Sequence, residues 1–153
     1  MKNESKAMTN GLANLLADTY VLYVKTQNFH WNVTGPHFYS HHKMFEEQYT
    51  QLSDAIDKIA ERIRSLQALA PASLSEFLKL TSLKESDNTL EANSMVKELL
   101  CSHELISKNI LNLFDIAKEC NDEVTLDLLI ERKSEHDKIA WILRSIFGVD
   151  YRV

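Results

Sequence analysis

Residues 28–49 read NFHWNVTGPHFYSHHKMFEEQY, and DKIAE follows at 57–61. Gly35-Pro36 interrupts this run. Proline cannot continue a helix and disfavours helical backbone in the residue before it, so the pair is a strong stop and turn signal. A helix should therefore end near Val33-Thr34-Gly35-Pro36, the chain should reverse, and a second helix should begin near His37.

The segments on either side carry apolar residues at spacings of three and four. Leu12, Leu15, Leu16, Thr19, Leu22, Tyr23 and Thr26 place a first helix over residues 5–32. Phe38, Phe45, Tyr49, Leu52, Ile56, Ile59, Ile63 and Leu66 form the apolar side of a second, from about 37 to 69. Residues 70–88 read as a linker, with Ser73 and Glu76 fitting a capping box before a short helix. Asn88 followed by Glu91 signals another start, and Val96, Leu99, Leu100, Ile106, Ile110, Leu113, Phe114 and Ala117 mark a third long helix. After a brief turn at Glu119–Asp122, a fourth runs to about Phe147 and stops at Gly148. The linker is long enough for helices two and three to run parallel. The pattern thus predicts an all-α, up-down-down-up four-helix bundle with a short helix in the long crossover.

At 153 residues and 44% hydrophobic content, the chain can bury one sizeable core, and three glycines and two prolines argue against a many-turned β fold. We divide it into a short flexible tail over 1–8, a helical domain over 9–148 and a short tail over 149–153. No apolar run approaches the roughly 20 residues needed to cross a bilayer, and MKNESKAMTN lacks the apolar core of a signal peptide. Cys101 and Cys120 are far apart with no CxxC partner, so a reduced cytoplasmic protein is expected rather than a disulfide scaffold.

His30, His42, Asp57 and Glu61 are borderline-to-hard metal ligands set among residues that otherwise read as packed helix. Taken singly, each has an ordinary explanation. His30 and His42 can be a buried hydrogen-bonding residue and part of a solvated face with His37 and His41. Asp57 and Glu61, four apart on one face, can pair with Lys58, Arg62 or Arg64. Together they form an imidazole and carboxylate set suited to Fe(II) and to the harder Fe(III) product, with zinc and cobalt as alternative occupants. From His42 to Asp57 is about 22 Å along one straight helix, so the two cannot share an ion within one chain. Two copies related by a two-fold axis can bring the His42 end of one helix to the Asp57 end of the other, with Glu61 best placed to bridge metals. Trp31, beside His30, reads as an apolar wall at the site, with electron donation a secondary role.

The formal charge of −5 is concentrated. Residues 119–137 hold seven acids against two bases, and Glu123 and Asp127, with Asp122 or Glu131, can line an acidic cation path where three copies meet. The alternative is an ordinary solvated helix face.

Asn28-Phe29-His30-Trp31-Asn32-Val33, then His42, then Asp57-Lys58-Ile59-Ala60-Glu61-Arg62 resembles the motif of the Dps family, the ferritin-like mini-ferritins, and the similarity runs through nearly the whole chain. The resemblance implies a ferritin-like four-helix subunit assembled as a hollow homo-dodecamer. It implies ferroxidase activity: Fe(II) bound at two-fold interfaces, oxidised preferentially by hydrogen peroxide rather than dioxygen, and kept as ferric mineral. It assigns ligand roles to His30, His42, Asp57 and Glu61, with Trp31 beside them, and carries over less firmly to Glu123 and Asp127 as pore residues. Some relatives compact DNA through lysine-rich tails. This tail has only Lys2 and Lys6 around Glu4, so DNA contact, and with it any nucleoid association, is expected to be weak. A mainly structural DNA-compacting protein is the competing reading.

Overall fold

The computed structural model describes residues 2–87 and 89–148. Its elements are α1 (Lys2–Asn32), α2 (Phe38–Ser65), α3 (Leu74–Leu80), α4 (Ala92–Glu119) and α5 (Glu123–Ile146). The four long helices form the bundle and α3 lies in the crossover between α2 and α4, as expected. Helix α1 is longer than expected: the segment assigned to a tail is helical from Lys2, and Met8 is 2% exposed. The expected 149–153 tail and the capping role of Asn88 lie outside the described residues. Among those described, no helix is long and apolar enough to cross a membrane.

The core is built from the apolar faces read in the sequence. Leu12, Leu16, Leu22, Phe29, Phe45, Leu52, Ile59, Ile63, Leu99, Ile106 and Ile110 are all essentially inaccessible. Each such side chain contributes roughly 1.5–3 kcal/mol by leaving water. Helices α1 and α4 meet closely at Gly11, where an added Cβ would lie 2.4 Å from Leu113 Cδ2. The glycine therefore serves close packing inside a helix.

The turns explain where helices end. Gly35, at φ 111°, supports the reversal between α1 and α2. Helix α2 stops four residues before the expected Leu69. Gln67 turns left-handed at φ 64°, its N–H donates to the Arg64 carbonyl, and Ala68 N–H donates to the Ile63 carbonyl at 3.2 Å. This is a Schellman closure. Asn121, at φ 52°, closes α4 the same way.

The crossover is fastened to α1. Ser73 caps α3, accepting from Glu76 N–H as the expected box requires, while the Glu76 carboxylate accepts from the Ser73 hydroxyl at 2.8 Å rather than from its backbone N–H. Phe77 stacks on Tyr20 at a centroid distance of 4.4 Å. Buried Asp18 accepts from Thr81 Oγ1 (2.8 Å), Ser82 N–H (2.6 Å) and Ser82 Oγ (2.8 Å).

Candidate metal centre

His30 and His42 meet across the Gly35-Pro36 reversal. Their rings stack 3.8 Å apart and 16° from parallel. Nδ1 of His30 lies 2.7 Å from the His42 carbonyl oxygen, and Nδ1 of His42 lies 2.8 Å from the His30 carbonyl oxygen. A carbonyl only accepts, so each Nδ1 carries the proton. In the neutral rings the lone pair is therefore on Nε2, the arrangement in which a metal-binding imidazole is oriented by its other nitrogen. Tyr49 meets the His30 ring edge to face at 5.2 Å, and Phe38 stacks on His42 at 5.1 Å. Neither aromatic contact was anticipated from the sequence.

Asp57 and Glu61 sit one turn apart on α2, both exposed. They are separated from His42 by about 22 Å of α2, so a single subunit does not unite the four residues. Among the described residues, no group of three or more histidine, cysteine, aspartate or glutamate side chains is gathered closely enough to hold a metal ion. A carboxylate closer to the histidines is Glu46, one turn beyond His42. The hydrogen bond and charge of Lys43, 2.7 Å away, hold its carboxyl below the usual range, with smaller contributions from His30 and His42.

Trp31 is 68% exposed, so within one subunit it walls nothing off. Of the four acids near the start of α5, two are engaged. Asp122 caps the helix, accepting from Thr125 N–H, and pairs with Arg62 at 2.7 Å; burial raises its pKa, but those partners outweigh burial and hold it low. Glu131 pairs with Lys58 at 2.9 Å. Glu123 and Asp127 remain exposed on one face.

A second polar cluster escaped the sequence reading. His103 of α4 and His136 and Arg132 of α5 occupy core-facing positions between Leu99 and Ile106 and between Leu129 and Ile139, and all three are buried. No apolar face was read for the fourth helix, and a histidine between apolar positions of the third carries no apolar signal of its own.

The ferritin-like domain family matches residues 9–152. The DNA protection during starvation protein 2 of Bacillus anthracis is 36% identical over 94% of this chain and 99% of its own length. The chain belongs to the Dps family of ferritin-like proteins. A low temperature-induced protein of Nostoc is 40% identical over 93% of this chain and 80% of its own length. Among solved structures, the Dps protein of Vibrio cholerae O1, described as a member of a broad superfamily of ferritin-like diiron-carboxylate proteins, superposes with a TM-score of 0.91. It is 33% identical and covers 95% of this chain and 91% of its own.

Proposed function

We propose that this Dps protein is a cytoplasmic ferroxidase that oxidises Fe(II) at sites shared between two subunits and stores the ferric product inside a hollow dodecamer. The observation that carries this reading is the His30–His42 pair, whose mutual Nδ1–H bonds to backbone leave both Nε2 lone pairs for a cation. The partner subunit's Asp57 and Glu61 supply anionic oxygen, which favours the ferric state once an electron has left. That His30, near the end of α1, gathers with His42 at the start of α2 while Asp57 and Glu61 lie far along α2 supports a shared site, because no single subunit can close around the ion. The diiron-carboxylate description of the Vibrio cholerae relative supports iron as the substrate.

Hydrogen peroxide is the preferred oxidant in this reading, with dioxygen as the slower alternative. Two Fe(II) ions each give up one electron; the peroxide O–O bond breaks, and the oxygens take up two protons to leave as two waters. Trp31, exposed in the single subunit, forms an apolar wall only against the second copy. Glu123 and Asp127 line the cation path where three subunits meet. DNA is a minor partner, since the first ten residues carry Lys2 and Lys6 as their bases, with Glu4 between them, and the subunit carries a formal −5.

Loading the protein with Fe(II) under anaerobic conditions, then adding hydrogen peroxide, tests the activity. Wild type should form ferric product and consume peroxide, and His42→Ala should do both far more slowly; equal, negligible oxidation in both would remove the ferroxidase assignment. The mass of the particle tests the dodecamer separately. Gel retardation that survives physiological salt would make nucleic acid the main partner instead.

A further inference from the structure

The rings around the histidine pair differ on its two sides. On the His42 side the neighbour is Phe38, and Phe45 lies between His41 and Phe29; phenylalanine rings do not readily give up an electron. On the His30 side three tyrosines follow in a row. Tyr49 meets the His30 ring edge to face at 5.2 Å, Tyr23 meets Tyr49 edge to face at 6.0 Å, and Tyr20 meets Tyr23 edge to face at 6.0 Å. At these centroid separations neighbouring rings are in contact. The row ends where Tyr20 stacks on Phe77 at 4.4 Å and lines a cleft with Val24, Leu78 and Glu85. Three of the chain's five tyrosines thus stand in single file from the candidate metal centre to the crossover.

Phenylalanine would fill the same space, so packing alone does not call for the hydroxyls. All three tyrosines are partly buried, which leaves water within reach of a proton that a phenol sheds. The Tyr23 hydroxyl accepts from Gln27 Nε2 at 2.9 Å and keeps its own hydrogen available to leave. Electron tunnelling falls off exponentially with the gap between rings, so a file of touching phenols is a path where scattered ones are not.

We propose that Tyr49, Tyr23 and Tyr20 form a relay that carries an oxidising equivalent away from the iron centre. The relay rests on the ferroxidase reading and acts when a centre holds a single Fe(II) as hydrogen peroxide arrives. Turning peroxide into two waters takes two electrons and two protons. One Fe(II) gives one electron; with no second donor, the O–O bond breaks into hydroxide and a hydroxyl radical. Tyr49 supplies the second electron and one proton, and solvent supplies the other proton. The products are Fe(III), a tyrosyl radical and two waters. Tyr23 then passes an electron to Tyr49, and Tyr20 passes one to Tyr23. At each hop the phenol being oxidised releases to water the proton that the radical being reduced takes up. The hole stops at Tyr20, because Phe77 is far harder to oxidise.

Assembled wild-type protein loaded anaerobically with one Fe(II) per centre and then mixed with hydrogen peroxide should show a tyrosyl radical by freeze-quench electron paramagnetic resonance. Ring-deuterated tyrosine should narrow that signal, which separates it from a tryptophan radical. Tyr49→Phe, which keeps the ring, should lose most of the signal and release several-fold more hydroxyl radical to a spin trap. Tyr20→Phe should keep a tyrosyl signal of altered hyperfine shape, because the hole then rests on Tyr23. An unchanged shape in Tyr20→Phe overturns the relay, and so does ferric product in wild type without a tyrosyl signal. Both of those outcomes leave the ferroxidase reading standing, whereas absence of ferric product in wild type defeats that reading and the relay with it.

Discussion

His30 and His42 each donate Nδ1–H to the other's backbone carbonyl, at 2.7 and 2.8 Å, and their rings stack 3.8 Å apart, so each ring is oriented by the other residue's backbone and packed on its imidazole. Removing one ring therefore removes a ligand and the stacking face of the second, while the carbonyl that orients the second remains. In stopped-flow measurements of ferric formation, His30→Ala and His42→Ala should each slow oxidation by about 10–100-fold, the usual cost of lost ligand orientation or more. The double variant should be little slower than either single one, because residues acting as a unit are not additive. Multiplying losses in the double variant would mean the two imidazoles act independently.

A site drawn from two chains can be rescued by mixing. In a dimer of one His42→Ala chain and one Glu61→Ala chain, one shared site loses both groups and the other keeps all four. Co-assembling the two inactive variants in equal amounts makes half the dimers mixed, so activity should return to about a quarter of wild type. Sites contained within one chain would give no recovery at any mixing ratio.

The bundle was legible because its signals are local. Gly35-Pro36 sets the reversal, Ser73 and Glu76 set the start of α3, and the apolar period sets the core faces. The end of α2 was not legible, because glutamine at Gln67 does not advertise the left-handed backbone that closes the helix. Histidine and carboxylate types were readable as candidate ligands, whereas the reciprocal His30–His42 hydrogen bonds depend on how two helices meet. Arg132, His103 and His136 stayed hidden for a different reason: burial of polar residues at inward positions is decided by tertiary contacts, which spacing does not record.

Asp18 fastens the crossover through three hydrogen bonds to Thr81 and Ser82, all from a carboxylate that is 3% exposed. Asp18→Ala leaves the Ser82 N–H and two hydroxyls without their acceptor. The expected loss is about 2–4 kcal/mol, read as a lower urea midpoint, and proteolysis should begin in residues 81–87. Asp18→Asn, which keeps one acceptor oxygen, should lose less. A midpoint unchanged in Asp18→Ala would mean α3 is held by Phe77 stacking alone.

Glu123 and Asp127, four residues apart and exposed on α5, are the acids expected to guide Fe(II) inward. Replacing both, as Glu123→Gln with Asp127→Asn, should slow uptake into the particle several-fold at low ionic strength, with the gap narrowing as salt screens the field. Stability should change little, since neither side chain caps the helix; Asp122 does that. Uptake at the wild-type rate in low salt would remove the channel role.

Acid should weaken the subunit from within. In the unfolded chain His103 and His136 titrate near 6.5, whereas folding pushes His103 down to about 3 and His136 well below its ordinary value. Burial is the main cause, with Arg132 acting on both and Lys133 on His136. Above 6.5 both states are neutral and the pair does not affect stability. Below 6.5 the unfolded chain takes up protons that the folded one refuses, so stability falls as pH drops, down to about 3 for His103. The slope is of order 1 kcal/mol per pH unit for each imidazole. His41, also lowered by burial and by His37, adds to it, while the lowered carboxyls of Asp122 and Asp137 act only below about 4. Urea midpoints between pH 7 and 4.5 should therefore fall more steeply in wild type than in the His103→Leu, His136→Leu double variant, in which both partners of the 2.9 Å hydrogen bond between their Nδ1 atoms are removed together. Parallel slopes in the two proteins would place the acid sensitivity elsewhere.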